Sequence, residues 1–179
     1  ATSKITFDLI LGNWHHEQKM DMNDILYNMY FLQEWGSELH EGDNTYDSEY
    51  SPQAAQNAKT LLGIKQIDDD TIEVYVDYWH FDEAEIAAWA APWSSMPWEI
   101  VAASEDAVLD GKVSFSRSGS ISKSINWLSL LIPNDANTIK EQLTEFKETK
   151  YIPSSLQDSE YDWQYFEQRY DAAIKWIDE

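Results

Sequence analysis

A strand, a Trp-His turn and a capped amphipathic helix follow one another without a break in ITFDLILGNWHHEQKMDMNDILYNMYFL, Ile5 to Leu32. Ile5, Phe7, Leu9 and Leu11 alternate with Thr6, Asp8 and Ile10. That period of two places the larger apolar side chains on one face of a half-buried strand. Asp21 then stands three residues before Asp24, a capping box with Asp in place of Glu, and Met22, Ile25, Leu26, Met29 and Leu32 follow at helical spacing. The helix is predicted to begin near Asp21 and to stop around Gly36.

Further along, Ser37 to Ser51 reads as a polar surface loop. Pro52 suits the first turn of a short helix carrying Ala55, Ala58, Leu61 and Leu62 and ended by Gly63. Ile64 to Ile67 and Thr71 to Tyr78 read as two strands of a hairpin around Asp68 to Asp70. Ile86 to Ala91 forms a helix broken by Pro92, and Pro97 opens another that runs to about Asp110, with Gly111 as its left-handed stop. Ser114 to Ser124 reads as a flexible serine-rich stretch. Asn134 is predicted to cap a helix carrying Ile139, Leu143 and Phe146. Pro153 terminates the segment after it, and Ser159 with Asp162 is predicted to start a long helix striped with Trp163, Phe166, Tyr170, Ile174 and Ile177. Helices outnumber strands, and the class is α+β.

The composition narrows the function. A chain of 179 residues with 43% hydrophobic and 14% aromatic content can bury a core, and its length argues for one domain. Twelve basic against thirty-three acidic residues give a net charge of -21, which opposes binding to nucleic acid and to anionic membrane surfaces. With no Cys there is no disulfide, no thiol catalysis and no Cys-ligated zinc. No stretch reaches the roughly 18 uninterrupted apolar residues that a membrane span requires.

WHHEQKMDMNDILY resembles the segment commonly reading WHDGKPFTAEDVVF in the family 5 extracellular solute-binding proteins, the peptide, dipeptide and nickel receptors of ABC importers. Trp14, His15, Asp24 and Ile25 fall on matching positions with no gap. Ile67 to Val76, IDDDTIEVYV, is similar to the family strand "vDdyTvrftl", with Asp68, Asp69 and Thr71 in register. MPWEIVAASEDAVLDGKVSFSRS resembles the archaeal branch of the same family. Glu17 and Lys19 depart from it, replacing the usual Gly and Pro, and a Glu takes positive φ at greater cost than Gly.

The resemblance implies a mostly helical α+β chain with a small mixed sheet or hairpin, part of a periplasmic-binding-protein type II-like lobe. Family members are longer, and this sequence ends at Asp178-Glu179, where the Gly-Pro-Phe strand of the family would follow. Residues 1–179 are therefore expected to be a single domain from one lobe of a two-lobed receptor, with sheet edges left open. The implied function is extracellular: capture of a peptide or similar small solute for an ABC permease by hinge closure, with no cofactor and no catalysis.

The candidate ligand-binding residues come from chemistry, not from the family motifs. Trp79, Trp89, Trp93 and Trp98 fall within twenty residues around two prolines. They suit either an aromatic cleft wall, with Trp89, Trp93 and Trp98 as contacts, or core packing. Arg117, one of two arginines, suits either a ligand carboxylate or an internal salt bridge. His15-His16 and His80 with Asp82 lack the i, i+4 geometry of a metal site and read as structural or solvated. Asp43, Asp47 and Glu49, like Asp68 to Asp70, read as solvated acidic loops instead of calcium ligands. Glu99 and Glu105 read as ordinary helix carboxylates, not a glycosidase pair. The alternative functions are a carbohydrate-binding or cell-surface interaction module and, behind it, a piece of a glycoside hydrolase.

Overall fold

A computed structural model of the chain describes residues 2–47, 49, 52–92, 94–157 and 159–179, with the backbone alone described at 53–55 and 58. The fold is α+β. Length argued for one domain; the contacts group the chain into two compact units, residues 1–12 with 20–95 and residues 13–19 with 96–179.

Unit 1 contains β1 (Thr2–Asp8), α1 (Met22–Gly36), α2 (Pro52–Thr60), β2 (Leu61–Gln66), β3 (Thr71–Asp77) and α3 (Glu83–Ala90). Its sheet is antiparallel, in the order β1-β3-β2. Ile72, Val74 and Val76 of the central strand are buried, as their alternation predicts. They meet Met22, Ile25 and Met29 of α1 and Ala90 of α3, with Ile5, Phe7, Leu61 and Ile64 packed against this cluster. Each fully buried aliphatic side chain contributes about 1.5–3 kcal/mol. The other face carries polar groups: Lys4 Nζ lies 2.6 Å from Glu73, and the Tyr75 hydroxyl donates to Glu73 at 2.7 Å.

The start of α1 follows from its sequence. Asp21 accepts the Asn23 amide at 2.9 Å while Asp24 accepts the Asp21 amide at 3.0 Å, completing the capping box. Elsewhere the ladder overrides local pattern. Leu61 and Leu62, expected at the end of a helix, instead open β2, because Leu61 pairs with Val76 and a register shift at Leu61/Gly63 keeps the strand on β3. Ala55 and Ala58, expected on the apolar face of α2, have side chains outside the described set. Among the described residues, β1 and β2 each have a ladder partner on the β3 side alone, so the sheet keeps two open edges.

Unit 2 is built on α4 (Trp98–Leu109), followed by β4 (Val113–Ser114), α5 (Arg117–Lys123), β5 (Asn126–Trp127), α6 (Pro133–Thr149), a 3-10 turn at Ser154–Leu156 and α7 (Trp163–Asp178). Trp98 to Ser104, Ala107 and Val108 are all buried, which makes α4 the central helix, with α6 and α7 packed against it. Gly111 ends it at φ 71°, as expected.

Three boundaries differ from the sequence reading. The serine-rich stretch is ordered: the Ser116 hydroxyl caps α5 by accepting the Gly119 amide at 3.1 Å, so these serines cap a helix where flexibility was expected. Gly119 packs closely there: a Cβ would stand 2.4 Å from Ser114 Oγ, so a larger residue would force that hydroxyl to move. Pro133 takes the first position of α6 after Ile132, leaving Asn134 inside the helix. Asp162, not Ser159, caps α7 through the Tyr165 amide at 3.3 Å. Among the described residues, no helix is long and apolar enough to cross a membrane.

Candidate functional site

Residues 13–19 form a tight hairpin in unit 2. Asn13 and Lys19 bridge in antiparallel fashion, the Trp14 amide donates to Gln18 O at 2.9 Å, and the Glu17 amide donates to Trp14 O at 3.0 Å. This is a three-residue loop whose third member takes a left-handed conformation, and Glu17 sits there at φ 67°. The two histidines of the turn diverge: His15 is exposed, while the His16 side chain is only 4% exposed.

His16 reaches a buried ion pair. Glu99, in the first turn of α4, has a side chain with no exposure, and Arg169 of α7 has 2%. His16 Nε2 lies 2.7 Å from Glu99 Oε1, while Arg169 Nε and Nη2 donate to Glu99 Oε2 at 2.9 and 2.8 Å. Arg169 Nη1 also donates to Lys19 O at 2.9 Å, holding the far side of the hairpin. The helix N-terminus beside Glu99 favours its negative charge.

Aromatic rings enclose this cluster. The Arg169 guanidinium lies 5.7 Å from the centre of the Trp98 ring. Trp98 packs edge-on against Phe166 and Tyr170, and its indole donates to the Tyr165 hydroxyl at 3.0 Å. Tyr170 donates to Tyr151 O at 2.9 Å, and burial pushes its phenol well above the usual range. Both Glu99 oxygens are engaged and the site is closed to solvent. Its chemistry is that of a lock, which pins the hairpin to α4 and α7.

Of the residues expected to bind ligand, Trp89 belongs to unit 1, and Trp98 and Arg117 belong to unit 2. Trp98 is a wholly buried core residue of unit 2. Trp89, in unit 1, stacks on Tyr78 with ring centres 4.8 Å apart and donates to Thr60 Oγ1 at 2.9 Å. Trp93 lies outside the described residues. Arg117 opens α5 exposed, without an ion pair among the described residues; the internal salt bridge considered for it is made by the other arginine, Arg169. The signal for that was present, since Arg169 falls on the α7 stripe with Phe166, Tyr170 and Ala173. The i, i+3, i+4, i+7 spacing marks it as buried and therefore paired.

The acidic loops have local occupations. Asp43 accepts the Thr45 hydroxyl and the Leu39 and Thr45 amides, which holds it below the usual carboxylate range. Asp47 accepts the Glu49 amide, and Asp68 accepts those of Asp70 and Thr71. His80 Nδ1 accepts the Asp82 amide at 3.1 Å. Among the described residues, no three metal-ligating side chains come together. Neither the known protein-family models nor the curated proteins include a match to this sequence.

Proposed function

We propose that this chain is part of an extracellular solute-binding receptor that captures peptides or similar small solutes for an ABC importer, without catalysis. In the complete receptor, two lobes close around the solute, and the closed form is favoured only by the solute's extra contacts to it. The observation that carries the reading is the turn after β1. Glu17 stands where the family pattern has Gly, and it holds the positive φ that glycine adopts at least cost. Asp21 stands where the pattern has Thr and caps the helix that follows. The open edges of the unit 1 sheet also suit a lobe completed by further strands.

A carbohydrate-binding module is the second reading, favoured by the exposed rings of Trp79 and Trp127. Titration with peptide mixtures and with oligosaccharides, followed by tryptophan fluorescence, separates the two. A saturable response to peptides is expected. Saturation by saccharides alone overturns the receptor reading, as does turnover of any ligand.

A further inference from the structure

Thirty-three acidic residues crowd this chain, yet Gly111 to Asn134 contains none, while it holds Lys112, Arg117 and Lys123. Lys112 is engaged, 3.0 Å from Asp110 and bonded to Gln142. Arg117 and Lys123 form no ion pair among the described residues, and both are exposed. The same stretch exposes apolar side chains: Ile121 is 68%, Trp127 56% and Leu131 94% exposed, with Ile132 beside them in sequence. A sequence free of Asp and Glu, exposed apolar side chains and exposed cations coincide in one segment.

That segment is rigidly held. β4 and β5 pair in parallel, the Leu128 amide donates to Ser114 O at 2.9 Å, and the Trp127 indole donates to Phe115 O at 3.0 Å. Ser120 Oγ donates to Ile125 O at 2.6 Å, joining α5 to the segment that follows. Buried Asp135 accepts the Ser129 amide at 3.0 Å and the Asn126 side-chain amide at 2.6 Å. A loop fixed at so many points presents Trp127 and Leu131 at little ordering cost to a partner.

We propose that α5 and the loop from Ile125 to Ile132 form a docking surface for a segment of another protein that carries carboxylates beside apolar side chains. Loss of Asp and Glu, with Trp and Arg retained, is the composition of an interface core. Two exposed cations with no ion pair among the described residues call for carboxylates on the partner. A flat anionic bilayer would face the rest of a chain of net charge -21, and a second copy would bring the same charge again. A short segment meets only the local field, because charges beyond about 8–10 Å are screened at physiological salt. The proposal goes beyond the receptor reading.

The test is fluorescence polarisation of a labelled Glu/Leu peptide with the full chain, beside a Lys/Leu peptide of equal length. Saturable binding of the acidic peptide is expected, weakened about tenfold by Arg117→Glu and by Leu131→Ser. Both positions are exposed, and circular dichroism verifies that the variants fold. Absence of binding, equal binding by the variants or preference for the basic peptide overturns the proposal. So does Arg117-dependent binding to phosphatidylglycerol vesicles, or Arg117-dependent self-association in sedimentation, without capture of the acidic peptide.

Discussion

Glu17 holds its left-handed backbone at a cost, because an L side chain there crowds the carbonyl by about 1–2 kcal/mol. Glu17→Gly removes the crowding and loosens the unfolded chain, so it should leave stability unchanged or raise it by up to about 1 kcal/mol. Glu17→Val, branched at Cβ, should lower it by about 1 kcal/mol. Thermal melts of the two variants check the order. At the buried cluster, Arg169→Met removes both guanidinium bonds to Glu99 and leaves it only the His16 contact, which should cost about 3–5 kcal/mol in urea unfolding. Adding Glu99→Leu to that variant should recover more than half of the loss. If the double variant is no better than the single one, the cost lies in packing around Trp98 and not in the unpaired charge.

Among the elements, the α4 and α6 contact contains a group that responds to pH. Burial pushes Asp106 above the usual carboxylate range, with Gln142 opposing the shift through a hydrogen bond and Asp110 adding to it. The folded chain thus binds this proton more tightly than the unfolded chain. Its stabilising contribution is fully present below the unfolded pKa and is lost as pH rises through the folded one. Asp106→Asn should therefore stabilise the chain at neutral pH and flatten the stability profile just above the ordinary Asp range, measured by urea midpoints across acid to neutral pH. Local signals made several elements legible beforehand: the Asp21 box wrote α1, the alternation of Ile72, Val74 and Val76 wrote β3, and Gly111 wrote the end of α4. Competition between elements hid others. Leu61 had helical spacing until Val76 offered a ladder, and serines that look flexible in sequence cap α5. The buried cluster was least legible, because His16, Glu99 and Arg169 meet across 83 and 70 residues.

For the whole molecule, net charge governs the response to solvent. A chain at -21 repels itself in the compact state, and salt screens that repulsion. Melting temperature should rise by several degrees between low and molar salt, most steeply at the low end, followed by circular dichroism. A flat or falling profile would mean that ion pairs such as Lys147 with Asp171 outweigh the repulsion. The hairpin at residues 13–19 carries a consequence for biosynthesis. Its anchors are Glu99 and Arg169, and the bond from Arg169 to Lys19 spans 150 residues. A ribosome releases the turn 150 residues ahead of the guanidinium that clasps it, while the strands and helix on either side of the turn already have their own core to join. The nascent chain must carry an unfastened loop across that interval, which makes the closure a long-range step and that loop the natural point for a chaperone to hold.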